Sequence, residues 1–249
     1  MIIIDHHEHP VTSAAWSPDS QAIVTGSLDK HAQLRTQAAD GNGETFNWPT
    51  ALRTQDCAIT PDGRKLIAMS TDNYITVYNF ADRTEDYAIK VTQRMTCLSV
   101  SQDSKHMLVN MANDEVHLID IASAKLVRKY AGQRQNDFII RSVFGGADEG
   151  LIVSGSSGMP TTTHLTSHNA NMITDSKVYI WHKENGTLIE SLEGHSHGCV
   201  NTVAWNPTNP KMFASGGDDK KVRIWTKKTE SPALPRSPFS SNLTHRHSL

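Results

Sequence analysis

The chain alternates short apolar runs with turns rich in glycine, aspartate, asparagine and serine. Five segments of the chain align with one another when one large apolar residue in each is taken as the common position. The aligned residues are Trp16, Ile59, Val100, Phe144 and Trp205. Their spacings are 43, 41, 44 and 61 residues, and the first three match a repeated structural unit of about 40–45 residues. The pattern therefore predicts a repeat architecture in which the fourth interval is too long.

Further apolar runs follow each aligned residue. The second runs occupy residues 21–27, 65–70, 106–111, 151–156 and 212–217, and the third occupy residues 31–35, 75–80, 115–121, 177–183 and 221–227. A fourth run follows in four repeats, at residues 44–48, 85–91, 125–130 and 187–192. Short β-branched and aromatic runs between turn residues indicate strands, and four antiparallel strands form one blade of a β-propeller. We predict an all-β propeller of about five four-stranded blades over residues 1–228. The last blade is incomplete, so the ring is expected to be partial or truncated.

Two segments depart from this repeat. Removing residues 158–174 from the fourth interval restores a spacing of 44, so this polar stretch is an insert. A disordered natural loop and a retained intron both explain it, and the two alternatives stay open. Residues 229–249 are rich in proline and serine, and this composition predicts a disordered tail.

The apolar residues Ile2–Ile4 stand where the outer strand of a preceding blade would end. They either close a five-bladed ring onto the last blade or are the remnant of a blade that precedes the first. Propellers usually have 4–8 blades, so a ring of five is permitted. We favour the remnant.

Residues 194–195 (Gly-His) and 216–225 (GGDDKKVRIW) resemble the signature of the WD40 family. The resemblance implies a buried hydrogen-bonded set of histidine, serine or threonine, aspartate and tryptophan in each blade, which we call the blade lock. The matching residues are His7, Thr25 and Asp29 in the first blade; Ser70, Asp72 and Tyr78 in the second; Ser154, Asp175 and Trp181 in the fourth; and His195, Ser215, Asp219 and Trp225 in the fifth. Buried polar groups must be paired, so we expect these residues to be structural.

Longer stretches narrow the resemblance to one WD40 family. Residues 7–19, 26–30, 138–156, 178–195 and 200–225 are similar to the C-terminal propeller of the WD40 subunit of the GID/CTLH ubiquitin ligase, in its fungal form. The resemblance implies binding of substrates or adaptors within such a ligase. It also implies an upstream LisH–CTLH helical region and more blades, which the 249 residues do not include.

Composition and charge restrict the possible partners. The formal net charge is −2, which gives no reason to expect a nucleic-acid or membrane partner. The three cysteines form no Cys-x-x-Cys pair, as expected of reduced thiols in the cytoplasm or nucleus. Histidines cluster at residues 5–10, 195–197 and 245–247 without the spacing of a zinc site. We therefore expect no metal, cofactor or small-molecule substrate.

The sequence favours a non-catalytic protein-interaction scaffold over an enzyme. Its expected partners are the other subunits of a ubiquitin ligase and their substrates or adaptors, and the alternative is a generic WD40 adaptor in another intracellular complex. A propeller hydrolase would need polar residues at equivalent inward-facing positions of several blades. The first strands look apolar, which argues against that class.

Overall fold

A computed structural model describes residues 7–29, 34–38, 46–48, 53–135, 138–158 and 175–226 of the chain. The strands in these ranges are β1 (Val11–Trp16), β2 (Ala22–Ser27), β3 (Leu34–Ala38), β4 (Phe46–Asn47), β5 (Thr54–Ile59), β6 (Lys65–Ser70), β7 (Tyr74–Asn79), β8 (Thr84–Lys90), β9 (Met95–Val100), β10 (His106–Met111), β11 (Glu115–Asp120), β12 (Lys125–Ala131), β13 (Ser142–Gly145), β14 (Leu151–Ser154), β15 (Lys177–His182), β16 (Leu188–Glu193), β17 (Val200–Trp205), β18 (Met212–Gly217) and β19 (Val222–Thr226). One short 3-10 turn, Ala147–Glu149, lies between β13 and β14. The predicted tail, Ile2–Ile4 and all of the predicted insert except Gly158 lie outside the described residues.

The strands form five antiparallel sheets in chain order. Sheets 1 to 4 contain four strands each (β1–β4, β5–β8, β9–β12 and β13–β16), and sheet 5 contains the three strands β17–β19. This confirms the predicted all-β blades with an incomplete last one. The described part of β3 overlaps the predicted run 31–35 at Leu34 and residue 35, and the first residues of that run lie outside the described residues.

The apolar core lies between the sheets. The first strands of consecutive sheets are neighbours, from β1 through β5, β9 and β13 to β17. A buried apolar cluster fills each of the four gaps: Val24 with Leu66 between sheets 1 and 2, Ile67 with Met107 between sheets 2 and 3, and similar groups in the next two gaps. Each sheet is therefore held by its neighbours, as sheets packed face to face usually are.

The two end sheets each have one exposed apolar face. In sheet 1, Ala15 packs towards sheet 2, so Trp16 lies on the opposite face, which we call the leading face; Trp16 is 58% exposed. In sheet 5, Val203 and Phe213 pack towards sheet 4. The opposite, trailing face carries Val222 and Ile224, which are 75% and 63% exposed. The described part of the chain is thus an open arc of five sheets.

The turns repeat a left-handed backbone residue. It is Ser20, Gly63 or Ser104 in the turn after the first strand, Asn73, Asp114 or Lys220 after the second, and Arg83, Ala124 or Gly186 after the third. Only glycine adopts this conformation without steric cost. The turn geometry therefore recurs from sheet to sheet even where the residue does not suit it.

Candidate functional site

The predicted blade lock of sheet 5 is assembled in the structure. His195 Nδ1 lies 2.8 Å from Asp219 Oδ1, and His195 Nε2 lies 2.8 Å from Ser215 Oγ. The indole N–H of Trp225 donates to the same Ser215 oxygen, at 2.8 Å. One proton arrangement satisfies all four side chains: tryptophan donates to serine, serine to histidine, and histidine to aspartate. The set joins the turn before β17 to the two strands β18 and β19.

Asp219 is the charged end of this set. The hydrogen bond from His195 lowers the pKa of Asp219 to about 2, and the backbone N–H groups of Ser196 and Lys221 also donate to the carboxylate. Arg223 lies 3.6 Å from the other carboxylate oxygen. The aspartate therefore stays ionised at neutral pH and keeps its acceptor role.

Sheet 1 contains the same arrangement without an observed aromatic member. His7 Nδ1 lies 2.8 Å from Asp29 Oδ2, and His7 Nε2 lies 2.8 Å from Thr25 Oγ1. Burial alone would raise the pKa of Asp29, but the hydrogen bonds from His7, Ser27 and the backbone together outweigh it, and the net shift of the pKa is downward. The structure thus brings together all three predicted residues of this sheet.

Sheet 4 departs from the prediction. Asp175 accepts hydrogen bonds from Ser156 (2.7 Å) and Tyr179 (2.9 Å), whereas the hydroxyl of Ser154 donates to the carbonyl of Gly155. The indole N–H of Trp181 donates to the carbonyl of Ala131, at the end of sheet 3. Ser154, Asp175 and Trp181 therefore do not form one set. The hydroxyl of Ser156, two residues after the end of β14, takes the place predicted for Ser154.

Gln133 is a residue of sheet 4 that the sequence analysis missed. Gly132-Gln133 directly follows β12, just as Gly194-His195 directly follows β16, so the glutamine stands at the histidine position. Gln133 is 2% exposed, and neither polar atom of its side chain has a partner among the described residues. The preceding glycine was the signal that could have found it.

Sheet 2 does not assemble its predicted set. Ser70 accepts a hydrogen bond from the backbone N–H of Tyr74, and Asp72 is exposed in the turn. Tyr78 is buried, with its ring centroid 5.2 Å from that of Trp48 in sheet 1. No hydrogen bond joins Asp72 to Ser70 or Tyr78 in the described structure. The side chain of Tyr78 packs instead in the apolar gap between sheets 1 and 2.

The first strands are less apolar than expected. Each aligned residue is preceded, three positions earlier, by a polar or thiol side chain in the first four sheets: Ser13, Asp56, Cys97 and Arg141. Arg141 Nη1 lies 3.5 Å from both Asp56 Oδ2 and Cys97 Sγ, so one side chain links sheets 2, 3 and 4. Asp56 is 5% exposed; burial raises its pKa, although Arg141 and two backbone N–H groups act in the opposite direction.

Comparison with known proteins identifies the repeat. The family described as "WD domain, G-beta repeat" matches residues 1–34 and 186–226, which contain both assembled blade locks. The chain is a WD40 repeat protein. A WD repeat-containing protein WDS homolog of Arabidopsis thaliana is 38% identical to it over 232 residues, 92% of this chain and 40% of the relative.

Two further relatives carry more specific names. A WD repeat-containing protein 26 homolog of Arabidopsis thaliana is 34% identical over 94% of this chain and 37% of its own length. GID complex subunit 7 of Schizosaccharomyces pombe is 34% identical over 89% of this chain and 41% of its own length. These relatives confirm the family resemblance predicted from the sequence. The WD40 chain spans about two fifths of the length of the curated relatives it matches.

Several buried polar groups in the described part of this WD40 chain are held in contacts within the fold. Burial raises the pKa of Cys57 and of Cys97 to about 12, which leaves almost no thiolate at neutral pH to act as a nucleophile. Arg141 is engaged with Asp56, and the blade-lock histidines are engaged on both ring nitrogens. In the described residues, no three histidine, cysteine or acidic side chains form a metal-binding group. No helix there is long and apolar enough to cross a membrane.

Proposed function

We propose that this chain is a non-catalytic interaction scaffold that binds substrates or adaptors within a ubiquitin ligase of the GID/CTLH type. It holds a client near catalytic subunits supplied by other chains, so that transfer depends on effective concentration. Its partners are those subunits and their clients, in the cytoplasm or nucleus. The main support is the combination of WD40 sheets with similarity to GID complex subunit 7 over most of this chain.

The engagement of polar groups within the fold also supports a binding role. Histidine and aspartate side chains that could act as acid and base are hydrogen-bonded into the sheets, as His195 and Asp219 are. The same relatives leave a generic WD40 adaptor in another complex as the second candidate, because two of them are named only for their repeats.

Affinity purification of the tagged chain followed by mass spectrometry tests the proposal. The bait is the full 249-residue chain, and a WD40 protein of an unrelated complex serves as the control bait. We expect ubiquitin-ligase subunits with the first bait and none with the control. Recovery of one unrelated complex, with no ligase subunit, would support the generic adaptor instead.

A second measurement addresses the absence of catalysis. Purified chain is added to an E2 enzyme charged with ubiquitin, with and without the remaining ligase subunits. The chain alone should not accelerate ubiquitin discharge, whereas it should increase client ubiquitination when the other subunits are present. Discharge by the chain alone would contradict a scaffold role.

A further inference from the structure

The outer strand of sheet 3 has an exposed apolar edge. β12 pairs with β11 on one side, and in the described structure its other edge has no partner strand. Leu126 and Val127 on this strand are 48% and 47% exposed. Sheet 3 lies in the middle of the arc, between sheets 2 and 4, which have four strands each. Proteins usually protect such an edge with charged side chains, so an apolar pair there is unusual.

The outer strand of sheet 2 shows the usual protection at the same place. Glu85 in β8 and Leu126 in β12 each lie opposite the fifth residue of the third strand, and each is followed by a one-residue bulge, at Asp86 and Val127. Asp86 forms an ion pair with Lys65. Two acidic residues therefore occupy the edge of β8 where β12 has two apolar ones, and β12 is the edge better suited to accept a further strand.

A groove of about 360 Å³ runs beside β12, between sheets 2 and 3. Its apolar lining comes from both sheets and includes Ile89, Val91, Met111, Ile119 and Leu126. Leu126 lies opposite Ile119, which packs between sheets 2 and 3, so Leu126 faces the groove. A strand added beside β12 would direct every second side chain into this groove, as happens when a peptide extends a sheet.

The surroundings of the groove are basic. Four basic side chains lie on β12 or line the groove: Lys90, Lys125, Arg128 and Lys129. The acidic residue of the lining, Glu115, is already bound by His117 at 2.7 Å and Lys129 at 3.0 Å, and these contacts lower its pKa to about 2. Lys90, Lys125 and Arg128 form no ion pair with a carboxylate in the described structure. These charges favour an acidic partner.

The outer strand of sheet 4 separates the effect of charge from that of apolar exposure. β16 has an equivalent apolar pair, Leu188 and Ile189, which are 44% and 53% exposed. Glu190 stands in β16 where Arg128 stands in β12. The two edges are therefore similar in apolar character and opposite in charge at this position, which makes β16 a matched control.

We propose that β12 is a docking edge for an acidic, extended segment of a partner protein, which adds to sheet 3 as a fifth strand. Apolar residues of the segment enter the groove beside Leu126, and its carboxylates lie near Lys90 and Lys125. Backbone hydrogen bonds along β12 hold the segment, while the groove and the basic side chains select its sequence. This surface is independent of the ligase role proposed above, because it concerns sheet 3 in whichever complex contains the chain.

A defined peptide probe tests the docking edge. The probe is a short fluorescent peptide that alternates glutamate with valine and phenylalanine, and fluorescence anisotropy measures its binding to the full 249-residue chain. Leu126→Glu and Lys90→Glu should each weaken binding by about tenfold or more, whereas the control Leu188→Glu should bind as the parent does. Hydrogen exchange should show the amides of β12, and not those of β16, protected by the peptide.

Two altered peptides separate the contributions of backbone and charge. Methylation of alternate backbone nitrogens removes hydrogen-bond donors and should abolish binding, since strand addition depends on them. A peptide with lysine in place of each glutamate should bind at least about tenfold more weakly. Unchanged binding of the methylated peptide would exclude strand addition. A lysine peptide that binds equally well, and is equally sensitive to Leu126→Glu, would exclude selection by charge.

Other outcomes place the contact elsewhere. Circular dichroism first establishes that each variant is folded, and Leu126→Ser replaces Leu126→Glu if the latter is not. No binding by the parent, or equal weakening by Leu188→Glu and Leu126→Glu, would overturn the proposal. Light scattering coupled to size exclusion examines the parent without peptide. Self-assembly that Leu126→Glu abolishes would assign the edge to a second copy of the chain instead.

Discussion

Sheets 2 and 5 both contain the first three strands of the repeat, but the two sheets are stabilised in different ways. The third strand of sheet 2 has four consecutive buried residues, Ile75 to Tyr78, because other sheets cover both of its faces. The third strand of sheet 5 has none that is fully buried, yet its sheet has a complete blade lock around His195. Sheet 1, at the other end, has the matching lock around His7. Packing on two sides replaces the lock in sheet 2, and the lock ties the strands together where packing is one-sided.

Truncating one tryptophan in each environment should give the largest contrast. Trp181 is 1% exposed and packs against Tyr130 and Tyr179, so Trp181→Ala should lower the free energy of unfolding by about 3–5 kcal/mol. Trp16 is more than half exposed, and Trp16→Ala should cost under about 1 kcal/mol in the monomer. Urea titration followed by circular dichroism measures both. Equal losses would mean that the leading face is covered in solution.

Removing the histidine of a blade lock should have the next largest effect. His195→Ala leaves the carboxylate of Asp219 and the hydroxyl of Ser215 without their buried partner, and we expect a loss of about 1–3 kcal/mol. His197, two residues away, is exposed, so His197→Ala should change stability by less than about 0.5 kcal/mol. Thermal unfolding of the two variants beside the parent provides the comparison. Similar melting temperatures for both would show that the lock adds little to sheet 5.

The lock should also make sheet 5 sensitive to acid. The pKa of Asp219 is lowered from 3.8 to about 2 by His195, so its ionised form stabilises the folded state. For a lowered pKa, this contribution is fully present above about pH 5 and is lost as the pH falls through 4 towards 2. The urea midpoint of the parent should therefore fall over that range more steeply than that of Asp219→Asn. Parallel curves for the two proteins would contradict the assignment.

Thiol reactivity provides a smaller, local comparison of the same regions. Cys57 and Cys97 lie in sheets 2 and 3, where burial raises the pKa of each thiol to about 12. Cys199, just before β17, is equally hidden, and burial raises its pKa, but sheet 5 is covered on one side only. Local opening should therefore expose Cys199 first. A time course of alkylation, read by mass spectrometry, should show it modified before the other two; the reverse order would mean that the end sheet is not the weaker one.

The repeat was predictable because strand spacing depends on a simple alternation of apolar and turn residues. The aligned residues Trp16, Ile59, Val100, Phe144 and Trp205 lie in or at the end of the first strand of each sheet. The sequence predicts a partial ring, but how far side chains such as Trp16 and Ile224 are exposed depends on whether sheets 1 and 5 meet in space.

The blade locks were predictable where the histidine of the motif is present, as in sheets 1 and 5. In sheet 5 the spacing of Ser215, Asp219 and Trp225 corresponds to the observed hydrogen bonds. In sheet 4 the same spacing is present once residues 158–174 are set aside, but Asp175 is bound by Ser156 and Tyr179. The sequence shows two neighbouring hydroxyls, Ser154 and Ser156, and it does not show which of them lies closer to the carboxylate of Asp175.

The left-handed turn residues indicate positions where a substitution can raise the stability of this fold. Ala124 adopts a left-handed conformation that glycine adopts freely at the related position Gly186, and Lys220 has a left-handed backbone in the turn after β18. Such a residue costs on the order of 1 kcal/mol, partly offset by the greater freedom of glycine in the unfolded chain. Lys220→Gly and Ala124→Gly should therefore raise the urea midpoint slightly, and a fall in either would show that the lost side chain matters more. The turns are thus positions where the stability of the fold can be raised without changing the buried apolar clusters between the sheets.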